Sequence, residues 1–377
     1  MIKKKFIIIL VISFLILAFT ESYDIKEIED LDYVIAIGFD KSKKNPDNYS
    51  ITFQIAKPQD KETGKTTAET LTIDCPTFDI GLSSINNAND KQLNLTHCSS
   101  LIISEELAKE GIEPIILNME NNVEIRPTCN LFISKNNAES LINIIGKSPS
   151  FSSDIYTNII NSGLSTGYET PTLVYDFYSN MRYNIKDPIA IYVGNTDQKA
   201  EPLGLAIFNK DKEIGIISGT EVICHNILSN NLKSATILVP NPFEEEKYFT
   251  ADISLLKNSK LKVELQDETP IIKCNIYIKA RISSSQSTND DYTSKEQNEA
   301  ITNSIKDYLS TLLTKYLEKT SKEYNSDIIG FEGILRKKYL TMDEYKNKVN
   351  WEKQYPNSKF ELNLNIDLDS SYLFQRH

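Results

Sequence analysis

The sequence predicts an α+β fold: several domains, each with mixed or antiparallel β-sheet flanked by helices. Three patterns lead there. Ile272, Cys274, Ile276, Ile278, Ala280 and Ile282 alternate with polar or amphipathic residues, as do Phe360, Leu362, Leu364, Ile366 and Leu368. That period of two is the mark of a strand with one buried face. Between these runs, Ile301, Ile305, Leu309, Leu312, Leu313, Tyr316 and Leu317 fall on one helical face. Near the start, Tyr33 to Phe39 (YVIAIGF) reads as a buried strand.

The elements follow in order. Tyr49, Ile51, Phe53 and Ile55 form an alternating strand, and Asn45-Pro46-Asp47-Asn48 makes it a hairpin with the first. Lys61 to Ala68 is polar and reads as a loop. Leu71 to Cys75 is a short strand, followed by helices at Phe78–Asn89 and Glu105–Leu117. Cys129 to Ser134 is a strand and Ala138–Ile145 a helix. Residues 148–200 read as polar and helical to irregular, with a boundary at Asp197–Pro202. Strands are then expected at Leu203–Phe208, Glu213–Ile217, Ser234–Val239, Ala251–Leu256 and Leu261–Leu265. Ser283 to Tyr292 reads as a loop. Ser294 with Gln297 makes a capping box that opens the long amphipathic helix, which should pack across the sheet holding both alternating strands. The division expected is 1–22 as a signal or anchor segment, 23–198 as an N-terminal domain and 199–377 as a C-terminal domain.

Length and composition bound the function. With 377 residues, two or three cores are expected. The net charge is −11; without Lys3, Lys4, Lys5 and Glu21 the remainder carries 38 basic and 51 acidic groups, or −13. So acidic a body repels phosphate backbones and anionic headgroups, which argues against nucleic acid and against membrane attachment through a basic patch. Attachment falls instead to the N-terminus. Lys3-Lys4-Lys5 precedes the apolar run Phe6–Phe19, broken only by Ser13, and polarity returns abruptly at Glu21. This is the layout of a secretory signal, with the lysines held inside and the body exported. The run falls short of the about 20 apolar residues of a spanning helix, although Ile2, Thr20 and snorkelling lysines extend it. Ala18-Phe19-Thr20 is an imperfect cleavage pattern, so cleaved signal and retained anchor both stand.

Chemistry-bearing patterns are sparse. His97, His225 and His377 lack partners at metal-ligand spacing, and no CxxC occurs among Cys75, Cys98, Cys129, Cys224 and Cys274. These cysteines read as buried thiols, with one disulfide among Cys75, Cys98 and Cys129 as the alternative. Gly163-Leu164-Ser165-Thr166-Gly167 matches the G-x-S-x-G nucleophile pattern in letters, but no strand precedes it and Tyr168-Glu169-Thr170-Pro171 follows. The context reads as a turn between helices. Asp24, Glu27, Glu29 and Asp30, and the run Glu244-Glu245-Glu246, read as solvated acidic faces. No glycine-rich phosphate loop is present. Catalytic residues, cofactors and metals are therefore expected to be none.

Several motifs together resemble the spore germinant-receptor C subunits. They are Tyr23-Asp24-Ile25-Lys26-Glu27-Ile28-Glu29-Asp30-Leu31 followed by Ala36-Ile37-Gly38-Phe39-Asp40; Leu101 to Ile112 with its Ala108-Lys109-Glu110-Gly111 turn; and Glu124-Ile125-Arg126. Gly204-Leu205-Ala206-Ile207-Phe208 with Lys212, Ile214 and Gly215 follows, and then Asp327-Ile328-Ile329-Gly330-Phe331, Trp351 and Tyr355-Pro356. The resemblance implies a non-catalytic subunit on the outer face of the spore inner membrane, joined to integral-membrane A and B subunits in a nutrient sensor that starts germination. The family's lipid-bearing cysteine has Ser22 in its place, so no lipid attachment is expected there. The apolar run is then expected to remain as the anchor. A stand-alone solute-binding protein, with an aromatic-lined cleft, is the alternative; a wall hydrolase with two carboxylates of split acidity is a more distant one.

Overall fold

A computed structural model describes residues 30–57, 66–148, 151, 154–195, 199–287 and 294–369. Strands β1 (Leu31–Lys41), β2 (Tyr49–Lys57) and β3 (Thr67–Cys75) pair antiparallel in succession. The hairpin expected from the alternation of the second strand is therefore present. Helix α1 (Phe78–Ala88) follows, and β4 (Gln92–Asn94) lies parallel beside the start of β1. Strands β5 (Ser100–Ser104), β6 (Asn130–Ser134) and β7 (Ile189–Asn195) then add in parallel beyond β1. The antiparallel β8 (Ala200–Asn209) and β9 (Lys212–Ile217) close that side. The sheet order is β3-β2-β1-β5-β6-β7-β8-β9.

Helices cover both faces of this sheet, which is why its central strands are apolar without alternation. Helices α2 (Glu105–Glu110) and α3 (Glu113–Asn121) share one face with α1. Helices α4 (Ala138–Gly146) and α5 (Ile155–Thr166) cover the other, and α6 (Val174–Tyr183) returns to the first. Helix α7 (Thr220–Leu228) leads into a second sheet. There β10 (Ala235–Pro240), β11 (Tyr248–Gln266) and β12 (Thr269–Ser285) run antiparallel, and β13 (Lys359–Leu368) joins β12 in parallel. Helix α8 (Lys295–Glu318) packs across this sheet, burying Ile301, Ile305, Leu309, Leu313, Tyr316 and Leu317. The Ser294 hydroxyl accepts from the amide of Gln297 at 3.2 Å, the cap expected from the sequence. Short helices, among them α9 (Phe331–Arg336), fill the crossover to β13. The class is thus α+β with mixed sheets flanked by helices.

Four sequence expectations change. The helix expected over Glu105–Leu117 is two, broken at Gly111, whose φ of 128° lies outside the range side chains favour. A Cβ there would stand 2.6 Å from the carboxylate of Asp211, at the β8–β9 turn. The two strands expected at Ala251–Leu256 and Leu261–Leu265 are one, because register shifts near Leu255, Lys257 and Lys260 absorb the polar interval. Within 148–200, expected to hold helical and irregular chain, lies the buried strand β7. A short apolar run such as Ile189–Val193 has no period to reveal it. Fourth, Gly163–Gly167 is the end of α5 rather than a turn.

The two sheets share a core. Leu205, Ile207 and Ile217 of β8 and β9, with Ile189 of β7, turn one face toward α7, α8 and the second sheet. Ala190, Tyr192, Ala206 and Phe208, on the opposite face, belong to the core under α1, α3 and α6. The chain therefore runs across the division expected at residues 198 and 199 with β7 and β8 hydrogen-bonded to each other. Truncating the fully buried Leu309 to alanine is expected to cost about 2–5 kcal/mol. Because the core is shared, calorimetry should show one cooperative transition lowered as a whole; two transitions, of which one stays put, would refute the sharing.

Candidate functional site

Two motif residues that carry titratable groups, Asp40 and Asp327, sit at junctions between elements. Asp40 ends β1, and its buried carboxylate accepts the amides of Ala138 at 2.7 Å and Glu139 at 2.9 Å. It caps α4 where the helix has amide groups without partners. Two residues earlier, Gly38 leaves room for the same helix, since a Cβ would meet the Cδ1 of Ile142 at 2.7 Å. Burial pushes the Asp40 carboxyl up, against the pull of the two amides.

Asp327 does the same at the joint between the halves. Its carboxylate accepts the amides of Gly330, Phe331 and Glu332 at 2.7–2.9 Å and caps α9. The main chain of Asp327 is held in turn by Asp187, just before β7: the Asp327 amide donates to the Asp187 carboxylate at 2.7 Å, and the Asp187 amide donates to the Asp327 carbonyl at 3.1 Å. Burial raises the pKa of both carboxyls, that of Asp327 to about 7. Nearby, the hydroxyl of Tyr324 donates to the carbonyl of Ile216 in β9 at 3.2 Å, and Lys319 pairs with Glu221 at 2.8 Å.

The residues singled out from sequence scatter. Ser22, Asp24, Glu27, Glu29 and His377 lie outside the described residues, as does the Phe6–Phe19 run; Asp30 is exposed. His97 is exposed and stacks edge-on against Tyr33, with ring centroids 4.9 Å apart. His225 is buried, with its Nδ1 3.0 Å from the hydroxyl of Tyr316, and burial with the nearby Lys186 charge pulls it down to about 3. It stays neutral across the physiological range. Ser165 is in the last turn of α5 and donates to the carbonyl of Ser162 at 2.7 Å, as ordinary helical serines do. Without a strand-to-helix elbow it has no nucleophile geometry. Glu244 pairs with Lys247 and with the hydroxyl of Ser287. All five cysteines are buried and free, and burial pushes the thiols of Cys224 and Cys274 up to about 12.

A cleft of about 1050 Å³ opens at the carboxyl ends of β1, β5 and β6. It is lined by charged and small polar groups, many of them paired: Lys44 with Asp74 at 3.0 Å, Lys109 with Glu105, and Lys41 with Glu110. Among the described residues no aromatic ring lines it, unlike the cleft expected for solute capture. Sequence reasoning overlooked Glu169 and Glu213. Glu169 is sealed against α5 with neither carboxylate oxygen hydrogen-bonded, and burial raises it to about 8. Glu213, in β9, is raised to about 7 by burial and by Glu105. Both were hidden because a buried acid looks like any other acid in one sequence.

Comparison with known proteins sets these junctions in context. A family model described as the spore germination protein N-terminal domain matches residues 24–194. A second, described as spore germination B3/GerAC-like, C-terminal, matches residues 203–372. The chain is 20% identical to the spore germination protein GerQC of Bacillus cereus over 374 residues, covering 98% of this chain and 99% of that one. It is also 20% identical to spore germination protein B3 of Bacillus subtilis (strain 168), over 95% and 96% of the two chains. The crystal structure of the GerBC protein shares the fold, with a TM-score of 0.59 at 16% identity, covering 92% of this chain and 99% of that one.

The raised pKa of Glu169 has a defined consequence. Unfolded, this group loses its proton near 4.5; folded, it keeps it to about 8. Its contribution to stability is therefore complete below pH 4.5 and lost as pH climbs through 8. Between pH 7 and 8, above the range of Asp327 and Glu213, Glu169→Gln is expected to remove a decline of up to about 1.4 kcal/mol per pH unit. Chemical denaturation at several pH values measures it; an unchanged slope would show that Glu169 ionises freely.

Proposed function

The chain belongs to the GerAC family of spore germination proteins, and on that premise we propose that it is the non-catalytic C subunit of a nutrient germinant receptor. Its acidic body then stands on the outer face of the spore inner membrane, beside integral-membrane A and B subunits. One observation carries the reading: the two family matches follow each other in order and leave little of the chain uncovered.

The structure supports a scaffolding role in a specific way. The motif residues Gly38, Asp40, Gly111, Asp327 and Gly330 hold helices and halves together, which is work for a rigid body that presents surfaces. A receptor of several subunits transmits a signal only through contacts that keep their geometry, and capped helices around a shared core supply that. Among the described residues no helix is long and apolar enough to cross a membrane. Attachment is therefore assigned to the apolar run Phe6–Phe19, with Ser22 unable to form the thioether of a lipoprotein.

Two experiments test this. Deleting the gene should abolish spore germination in response to a particular nutrient while leaving germination by non-nutrient triggers intact; normal germination across a broad nutrient panel would overturn the proposal. Mass spectrometry of protein extracted from spore membranes should find residues 6–19 still attached. A mature chain beginning at Glu21 or later would overturn the anchor and leave attachment to the partner subunits.

A further inference from the structure

A small pocket at the joint between the halves has a composition that capping does not account for. Its volume is about 290 Å³, the size of a compact metabolite rather than a larger ligand. Four acids line it, Asp187, Asp327, Glu332 and Glu352, against the two lysines Lys186 and Lys210. One wall is aromatic: the rings of Trp351 and Tyr355 stack with centroids 5.3 Å apart and 24° between planes. Trp351 is 8% exposed, and its indole Nε1–H has no acceptor among the described residues. A buried donor left without a partner costs about 1–3 kcal/mol, so it implies that something is meant to meet it. Lys186 makes no ion pair within 4 Å among the described residues, and burial lowers its affinity for a proton.

These groups ask for complementary things. The acids outnumber the lysines and call for a cation, and an aromatic wall favours an organic one. Among the described residues no three His, Cys, Asp or Glu side chains converge to enclose a metal ion. The indole N–H and the Lys186 ammonium call for an oxygen acceptor, preferably an anionic one. We propose that this pocket binds a small zwitterion, its ammonium facing Asp187, Glu332 and Glu352 and its carboxylate facing Lys186 and the indole N–H of Trp351. Both halves of the chain supply the site, since Lys186 and Asp187 precede β7 whereas Trp351 and Glu352 follow α9. Binding there would tighten the joint. The proposal does not depend on the receptor reading and can fail without it.

Trp351 is the single tryptophan of the chain, so its fluorescence reports on this pocket alone. The full-length protein in detergent would be titrated with glycine, L-alanine, ethanolamine and acetate under tryptophan-selective excitation. Glycine or L-alanine should give a saturable change with a Kd between about 10 µM and 10 mM, the range open to so few atoms. Ethanolamine should bind at least about 10-fold more weakly, and acetate should give no saturable change. Glu352→Gln, an exposed position whose change leaves the fold alone, should weaken glycine or L-alanine by about 5-fold. Asp187→Asn, which keeps the oxygen that accepts the Asp327 amide, should weaken them further. A flat titration with both amino acids overturns the site. So does equal affinity for ethanolamine, a saturable response to acetate, or an unchanged Kd in a folded Glu352→Gln variant.

Discussion

The architecture depends on β7, β8 and β9 serving two cores at once. Their backbone hydrogen bonds belong to the first sheet, while Ile189, Leu205, Ile207 and Ile217 are buried against the second half. A strand buried on both faces tolerates no register slip, because a shift of one residue would exchange the side chains of the two cores. The polar contacts at the joint add direction to that apolar contact. The two hydrogen bonds between Asp187 and Asp327, one to the Asp187 carboxylate and one to the Asp327 carbonyl, fix where the end of α6 meets the start of α9. Tyr324 and Lys319 then fasten the end of α8 to β9 and α7.

Seen this way, the motifs of the family are solutions to close approach. Gly38 and Gly111 are small because Ile142 and the Asp211 carboxylate come too near for a side chain. Asp40 and Asp327 are acids because helix starts need acceptors where no water reaches. Burial makes each of these carboxyls harder to ionise, yet the amide donors they receive cannot be replaced by apolar groups.

Much of the fold was legible, and the illegible parts have physical causes. The alternation of β12 and β13 and the stripe of α8 declared themselves because each element has one wet face and one dry face. Strand β7 did not, being dry on both sides and only seven residues long. The break at Gly111 depends on Asp211, about a hundred residues away, and no local pattern carries that information. The same holds for the joint pocket. Its acids, lysines and aromatics come from segments before β7, at the β8–β9 turn, and before, within and after α9, so spacing along the chain could not announce them. The motifs of the family did point to Asp327, Trp351 and Tyr355, but as similarity rather than as geometry.

The place of β13 bears on the order of assembly. Among the described residues it is the last strand, it lies at the edge of its sheet, and it pairs in parallel with β12 across the whole of α8 and the short helices that follow. Until it arrives, α8 lacks one of the strands it packs against and β12 keeps an open edge. Parallel pairing across so long a crossover is slow, because loop-closure entropy is lost before contacts form. Docking of β13 is therefore expected to be a late step of folding, and the interval before it docks is the period in which the open edge of β12 most needs protection from neighbouring chains.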